Sequence, residues 1–229
     1  MNVTAYCQKI QALFEAHQDP ENAQGQKAYM KGRFNYFGLK SPLRKELTQG
    51  FIKEHGLPQE EQLADFAHQM WAMPQRELQY ACIDILIKWK RKVGPGMLHL
   101  YQFMVEQKSW WDTVDLIASH LVGALVLNNP DLKHVMDVWS ESDNMWIKRV
   151  AILYQLKYKD KTDEERLFDY CEKNAYDQEF FIRKAIGWAL REYSKRNEAA
   201  VREFVAEHPD LSGLSKREAL KWLEARRSS

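Results

Sequence analysis

The sequence is short of the residues that build metal centres and disulfide frameworks. Its three cysteines are odd in number and lie far apart, and none of its seven histidines stands at metal-ligand spacing from another histidine or from a cysteine. These shortages argue against a zinc enzyme and against a disulfide-stabilised secreted domain. We therefore expect no metal, no organic cofactor, and a reducing compartment around the chain.

The sequence also lacks the marks of membrane insertion, export and nucleotide binding. Its most apolar stretch, residues 121–127, is far too short to span a bilayer, and its N-terminus shows no charged-then-apolar run of a signal peptide. No phosphate-binding loop, dinucleotide fingerprint or recognisable nucleophile motif is present. The expectation is a soluble intracellular protein with no membrane contact.

Neither sign of charge is in surplus, since the formal net charge is only +1, so the composition by itself does not indicate nucleic acid. What is abundant is apolar surface. Hydrophobic residues make up 45% of the chain and include eight tryptophans, which is enough for a full core and argues against disorder. We expect one domain over residues 1–229, and a monomer.

The spacing of the apolar residues is helical throughout. They recur three and four positions apart in almost every segment, as in residues 78–89, and no segment sustains an alternation of period two. Glycine and proline punctuate the pattern at Gly56, at residues 94–96 and at Asn129-Pro130. The sequence predicts an all-α fold, with helix starts signalled by capping patterns at Asp19, Ser41, Thr162 and Ser215.

The helical pattern repeats. Similar segments begin at Trp111, Trp146 and Phe181, which are 35 residues apart, and Tyr158 and Tyr193 keep the same register. A period of this length in a helical chain is typical of helix pairs stacked into a HEAT-like solenoid, whose inner helices line a concave surface. We expect that surface to be a binding groove.

Basic pairs occur in the first two turns of several predicted helices, where the helix dipole disfavours a cation. A bound phosphate would compensate that placement, so the recurrence favours a basic groove that binds nucleic acid. For any single pair, an ion pair with a nearby acid such as Asp143, Asp177 or Glu218 is the simpler interpretation. The pairs are Arg44-Lys45, Lys148-Arg149, Arg183-Lys184 and Lys216-Arg217.

Asp115 breaks the repeat, because its equivalents Val150 and Ala185 are apolar. A carboxylate at the border of a core is costly to desolvate unless a cation pairs with it, and Arg149 of the next repeat could supply one. Two interpretations stay open at this point. Asp115 is either half of a structural ion pair with Arg149 or a catalytic carboxylate that faces the groove.

Two tryptophans lie near these residues in the repeat register. Trp111 precedes Asp115 by four residues on one helix face, although its equivalents Trp146 and Phe181 are compatible with a core position. Trp188 precedes Arg191 by three residues, and an aromatic ring beside a cation suits contact with a sugar or a base. A helical tryptophan is more often part of the core, and spacing alone does not decide between the two.

Several long segments resemble the AlkD family of DNA alkylation repair glycosylases, in the same order and through nearly the whole chain. The most specific contains Trp110-Trp111 and Asp115. The others contain Trp146 with Arg149, and Trp188 with Arg191. The similar segments are residues 28–31, 108–115, 142–149, 151–158, 184–193 and 214–219.

The resemblance implies a HEAT-like fold and excision of cationic alkylated purines, such as 3-methyladenine and 7-methylguanine, from double-stranded DNA without base flipping. It also implies a catalytic role for Asp115 with Trp111 and Trp188. Arg149 would be the central arginine of the groove, and Arg191 would contact the DNA backbone. Tyr29 would lie near the lesion. Two alternatives remain: a glycosylase for bulky natural-product adducts, and a non-catalytic helical-repeat module that binds DNA or protein.

Overall fold

The computed structural model describes residues 1–227, and they form two compact units, the first over Met1–Val93 and the second from Gly94 onward. Within residues 1–227 the regular structure is helical, and the only β-type pairing is one isolated bridge between Asn35 and Gln75. The prediction of an all-α fold is confirmed. None of the helices in the described part of the chain has the length and apolarity needed to cross a membrane.

The first unit contains five α-helices, of which α1, α3, α4 and α5 have buried residues and α2 has none. Helix α1 packs against α3 and α4, and α5 packs against α3 and α4. The stripe predicted over residues 78–89 is real, because Leu78, Cys82 and Ile85 are fully buried on α5. The helices are α1 (Val3–Glu15), α2 (Pro20–Tyr29), α3 (Ser41–His55), α4 (Leu63–Ala72) and α5 (Arg76–Trp89).

The second unit contains the repeats. Its α-helices are α6 (Met97–Glu106), α7 (Trp111–Leu116), α8 (Gly123–Asn128), α9 (Lys133–Trp139), α10 (Met145–Leu153), α11 (Glu164–Lys173), α12 (Phe180–Ser194), α13 (Glu198–Glu207) and α14 (Gly213–Arg227). The segments predicted to repeat begin at or next to the first residues of α7, α10 and α12. The 35-residue spacing is therefore a spacing of helices.

Within this unit the helices that carry the repeated segments stack in order. Helix α10 packs against α7 on one side and against α12 on the other, and α12 packs in turn against α14. Helices α9, α11 and α13 each pack against the helix that follows them. This arrangement of successive helix pairs is the HEAT-like packing that the period predicted.

Helices α7 and α8 are joined without a break by one π-helical segment, Ile117–Val122. Single π-turns of this kind insert an extra residue into a helix and are frequent at functional sites. Ile117, Ala118, Leu121 and Val122 are buried there. The π-turn begins two residues after Asp115. It changes the angle about the helix axis between the side chain of Asp115 and the position of Gly123.

Three of the four predicted N-cap residues differ from those in the structure, by one to three positions. The cap of α11 is Asp163 and not Thr162, since the Asp163 carboxylate accepts the backbone N–H of Arg166. Ser212 takes the place predicted for Ser215, because its hydroxyl accepts the backbone N–H of Ser215. Lys40 precedes α3, whose first residue is Ser41. Asp19 caps α2 as predicted.

Candidate active site

Asp115 and Arg149 form a bidentate ion pair between neighbouring repeats. Arg149 Nε donates to Asp115 Oδ1 at 2.7 Å, and Arg149 Nη2 donates to Asp115 Oδ2 at 2.8 Å. Asp115 lies on α7 and Arg149 on α10, so the helix stacking of the repeat sets this distance. Paired hydrogen bonds between guanidinium and carboxylate planes are among the strongest polar contacts in proteins.

The guanidinium of Arg149 is held from three sides. Its Nη1 donates to the backbone carbonyl of Phe181, and its Cζ lies 5.9 Å from the centre of the Phe181 ring and 5.2 Å from that of Trp188. Arg149 is only 1% exposed. Its contacts make Arg149 the buried support of Asp115, and the DNA contact expected of Arg149 stays a prediction.

The carboxylate of Asp115 keeps some access to solvent, since its side chain is 20% exposed. Burial raises the pKa of this carboxyl above its ordinary value, while the hydrogen bonds and charge of Arg149 oppose the rise. Each carboxylate oxygen has a second lone-pair direction that Arg149 does not use. Asp115 can therefore act as an anion towards a cation or a water molecule at the surface.

Trp188 connects the ion pair to a second cluster of charges on α12 and α14. Its indole Nε1 donates to Glu218 Oε2 at 3.1 Å. Lys184 Nζ lies 5.3 Å from the centre of the indole ring and also donates to Glu218 Oε1 at 2.7 Å. Arg191 Nη1 donates to Glu218 Oε2 at 3.0 Å. These hydrogen bonds, led by that of Lys184, hold the pKa of Glu218 below its ordinary value.

The tryptophan pair of α7 divides between two environments. It is Trp110, and not Trp111, whose ring packs against Trp146 and Phe181, with centroid distances of 5.7 and 5.1 Å. The repeat register had suggested this core position for Trp111. Trp111 itself is half-buried at the first residue of α7, one turn before Asp115. The role predicted for Trp111 remains a prediction.

Five of the six basic residues in the predicted pairs of the second unit have protein partners. Lys148 Nζ donates to Asp177 at 3.0 Å, as the ion-pair alternative anticipated. Arg183 donates to the backbone carbonyl of Asp177 and to the Gln178 side chain, and Lys216 donates to the carbonyl of Pro209. Arg217 is exposed near the start of α14. Lys184 pairs with Glu218.

Three predicted DNA-contacting residues lie in the first unit. Tyr29 is 70% exposed at the end of α2, and Lys45 is exposed on α3. Arg44 is buried, pairs with Asp84, and places its guanidinium 5.2 Å from the Tyr80 ring. Arg44 would have to leave Asp84 to reach a phosphate, and the DNA contact expected of it stays a prediction.

A cleft that sequence reasoning missed adjoins Trp188. It measures about 440 Å³ and is lined by Trp188, Arg191, Leu156, Ser119, Glu192 and two lysines, Lys157 and Lys159. Both lysines are exposed, and among residues 1–227 neither has a carboxylate at ion-pair distance. Lys159 has a left-handed backbone, with φ 56°, at the end of the turn after α10. No pair or repeat signal marked these lysines in the sequence.

The described residues contain no cluster of three or more histidine, cysteine, aspartate or glutamate side chains that could hold a metal ion. The groups gathered at Asp115 are one partly exposed carboxylate, its buried arginine, and the faces of aromatic rings. Such a set can stabilise a developing cation.

The family that matches this sequence is described as DNA alkylation repair enzyme, and the match covers residues 10–223. The chain belongs to this family. The resemblance to AlkD-type proteins noted from the sequence is thereby confirmed. The family's extent includes both compact units and all the site residues described above.

Solved structures agree with this membership. The chain is 34% identical to a predicted DNA alkylation repair enzyme from Enterococcus faecalis, with a TM-score of 0.82 over 90% of this chain and 96% of that one. It is 15% identical to AlkD2 from Streptococcus mutans, with a TM-score of 0.61 over 77% and 88% of the two chains, which shows likeness of fold. A search of curated proteins found no match.

Proposed function

We propose that this member of the DNA alkylation repair family is a DNA glycosylase that hydrolyses the N-glycosidic bond of purines alkylated at N3 or N7. Its partner would be double-stranded DNA that carries 3-methyladenine or 7-methylguanine. The reaction would begin base excision repair in the bacterial cytoplasm, with the protein acting as a monomer over residues 1–229 and without a cofactor.

The observation that carries the proposal is the setting of Asp115. Its equivalents in the next two repeats, Val150 and Ala185, are fully buried apolar residues, whereas Asp115 is charged and one-fifth exposed. A helical scaffold gains nothing from a carboxylate in that slot, because the carboxylate requires a buried arginine to offset its desolvation. An enzyme that stabilises a cationic sugar gains a fixed negative charge.

A single carboxylate is sufficient for this reaction. Ordinary glycosidases need one carboxyl group to protonate the leaving group and another to stabilise the sugar cation or activate water. A purine alkylated at N3 or N7 already carries a positive charge, so it departs without protonation. Asp115 would then stabilise the oxocarbenium-like sugar and orient the water that attacks its anomeric carbon.

The aromatic residues would complete the binding of the sugar. The faces of Trp111 and Trp188 would pack against the deoxyribose and stabilise its developing positive charge. Family resemblance suggests that the protein works from the backbone and the sugar, with the base left in the stack, unlike enzymes that extrude the base. The proposed contacts to the DNA are Tyr29, Lys45, Lys148, Arg183, Lys184, Arg191, Lys216 and Arg217, and the cations that now have protein partners would share them with phosphate.

The proposal is tested by base release from duplex DNA that contains 7-methylguanine. We expect the wild-type protein to release the base and leave abasic sites at a rate well above that of an enzyme-free control. The measurement is the number of abasic sites as a function of time, with enzyme in excess over DNA.

Two other outcomes lead to the alternatives. Release only from DNA that carries a bulky alkyl adduct would assign a glycosylase for large lesions. Binding of the DNA with no release from either substrate would contradict the proposal and leave a non-catalytic binding module.

A first prediction concerns the two exposed lysines of the cleft beside Trp188. Replacing Lys157 and Lys159 together with alanine should weaken binding to undamaged duplex DNA and flatten its salt dependence. Each lost phosphate contact reduces the slope of log affinity against log salt by about 0.9, so the double change should reduce it by roughly 1–2. The measurement is DNA affinity by fluorescence anisotropy at several salt concentrations.

The matched control is Lys161→Ala, which removes the same charge from an exposed position two residues away that does not line the cleft. We expect the control to keep the wild-type slope. Equal slopes for the double variant and the wild type would remove this cleft from the DNA-binding surface.

A further inference from the structure

The carboxylate of Glu218 gathers three donors from one face of the neighbouring helix. Lys184, Trp188 and Arg191 are spaced by four and three residues on α12, and all three donate to Glu218 of α14 at 2.7 to 3.1 Å. The Glu218 side chain is only 14% exposed. Both of its oxygens are used, so the group is fixed more tightly than a surface ion pair.

Helices α12 and α14 approach each other closely beside Glu218. Gly187 lies on α12 between two of the donors, and a Cβ atom at this position would lie 2.4 Å from Glu218 Cβ and 3.0 Å from the carbonyl of Ser215. Ser215 in turn donates its hydroxyl to the carbonyl of Arg183 at 3.0 Å. A side chain at Gly187 would therefore force α14 or the Glu218 side chain to shift, and Glu218 carries the acceptor of the indole N–H.

The consequence falls on Trp188. The edge of its ring is held by Glu218, while its ring lies near Lys184 and the buried Arg149, the arginine that pairs with Asp115. A tryptophan held only by packing could rotate about its side-chain bonds, and the hydrogen bond at Nε1 removes that freedom. The orientation of the ring relative to Asp115 thus depends on Glu218.

We propose that Glu218 is a positioning residue, which fixes the indole of Trp188, together with Lys184 and Arg191, for the excision reaction. This inference rests on the proposed glycosylase function. Glu218 would not touch the substrate. Its effect would pass through the ring, and it would appear in the rate of bond cleavage and not in the affinity for DNA.

The test compares Glu218→Met, which keeps the side-chain volume and removes the acceptor, with Glu218→Gln, which keeps an oxygen that accepts the indole N–H. We expect Glu218→Met to lower the single-turnover excision rate roughly 10- to 100-fold, because small displacements of catalytic groups have effects of this size. DNA affinity should stay the same or increase, since a negative charge beside two cations is lost. Glu218→Gln should recover most of the rate.

A double-mutant cycle with Trp188→Phe separates positioning from a simple tie between helices. If Glu218 acts through the indole, Glu218→Met should change the rate less than about 3-fold when phenylalanine already occupies position 188. An equal loss in both backgrounds would overturn the proposal and leave an interhelical ion pair. Glu224→Gln, an exposed acid on the same helix, is the charge control and should behave as the wild type.

A readout that needs no activity keeps this inference distinct from the proposed function. The indole N–H resonance of Trp188, assigned by its loss in Trp188→Phe, should move in Glu218→Met and move much less in Glu218→Gln. If the wild type excises no base and the resonance behaves as expected, the proposed reaction fails while the positioning contact stands. If the resonance is unchanged in folded Glu218→Met, the positioning role is refuted whatever the activity.

Discussion

Asp115→Asn should lower the rate of 7-methylguanine excision by about 10² to 10³, the effect of removing one well-placed electrostatic group from an active site. Asparagine has the shape of aspartate and can still accept a hydrogen bond from Arg149, but it carries no negative charge for the sugar cation. Binding to undamaged DNA should be retained, because the change removes no cation. The measurement is the single-turnover rate at a temperature where both proteins are fully folded.

The same substitution has a structural cost that must be measured separately. Arg149 is 1% exposed and would lose the charge that offsets its burial, although its bond to the Phe181 carbonyl remains. We expect a loss of about 1–3 kcal/mol in the free energy of unfolding. Asp131→Asn, at an exposed position, is the control and should change neither quantity. A stability loss without a rate loss would show that the ion pair is structural only.

The pH profile gives an independent reading of the same prediction. Burial raises the pKa of the Asp115 carboxyl, and the ionised form is the one that stabilises a cation. Excision should therefore be full at neutral pH and fall as the pH falls through this raised pKa, at a higher pH than for an ordinary aspartate. Rates over roughly pH 5–8, less the enzyme-free release at each pH, should show this fall in the wild type and not in Asp115→Asn.

Gly123→Ala should have the largest effect on stability. A Cβ atom at Gly123 would lie 2.2 Å from the backbone carbonyl oxygen of Tyr154, and a backbone atom cannot turn aside as a side chain can. The carbonyl of Gly123 also accepts the buried hydroxyl of Tyr158 at 2.7 Å. We expect a loss of about 3 kcal/mol in the free energy of unfolding, measured by chemical denaturation.

This substitution should also reduce excision, because Gly123 and Asp115 lie on one continuous helical segment that packs against the helix of Arg149. Moving the two segments apart would lengthen the contact between Asp115 and Arg149. The control is Gly50→Ala, on the exposed face of α3, where a Cβ would meet nothing within 4 Å. It should increase stability by about 0.4–1 kcal/mol. Loss of stability in both variants would show that the close approach at Gly123 is not the cause.

Much of the fold could be predicted, because it depends on patterns that can be read along the sequence. Helical periodicity depends on neighbours three and four residues away, and the 35-residue repeat depends only on register along the chain. The boundaries were less certain: at Thr162 and Ser215 the structure uses the neighbouring Asp163 and Ser212, since several polar residues within one turn can cap a helix equally well.

Residues of the candidate site could be predicted from the sequence only where they differ from the equivalent residues of the other repeats. Asp115 stands out against Val150 and Ala185, and Arg149 lies close to one repeat away, so their pairing could be anticipated. The ion pair of Arg44 with Asp84 could not be anticipated, because the two residues lie 40 positions apart on different helices and no local pattern predicts their contact.

By itself, the sequence determined the helical class, the repeat, the family and the exceptional aspartate, since each of these depends on the order of residues along the chain. Only the tertiary structure decided which carboxylate each cation meets, that Trp110 and not Trp111 packs against Trp146 and Phe181, and that Glu218 holds Trp188. The contacts of Asp115, Trp110 and Trp188 join residues 30 to 71 positions apart. They depend on how closely two helices approach, which Gly123 and Gly187 control through the side chains they lack.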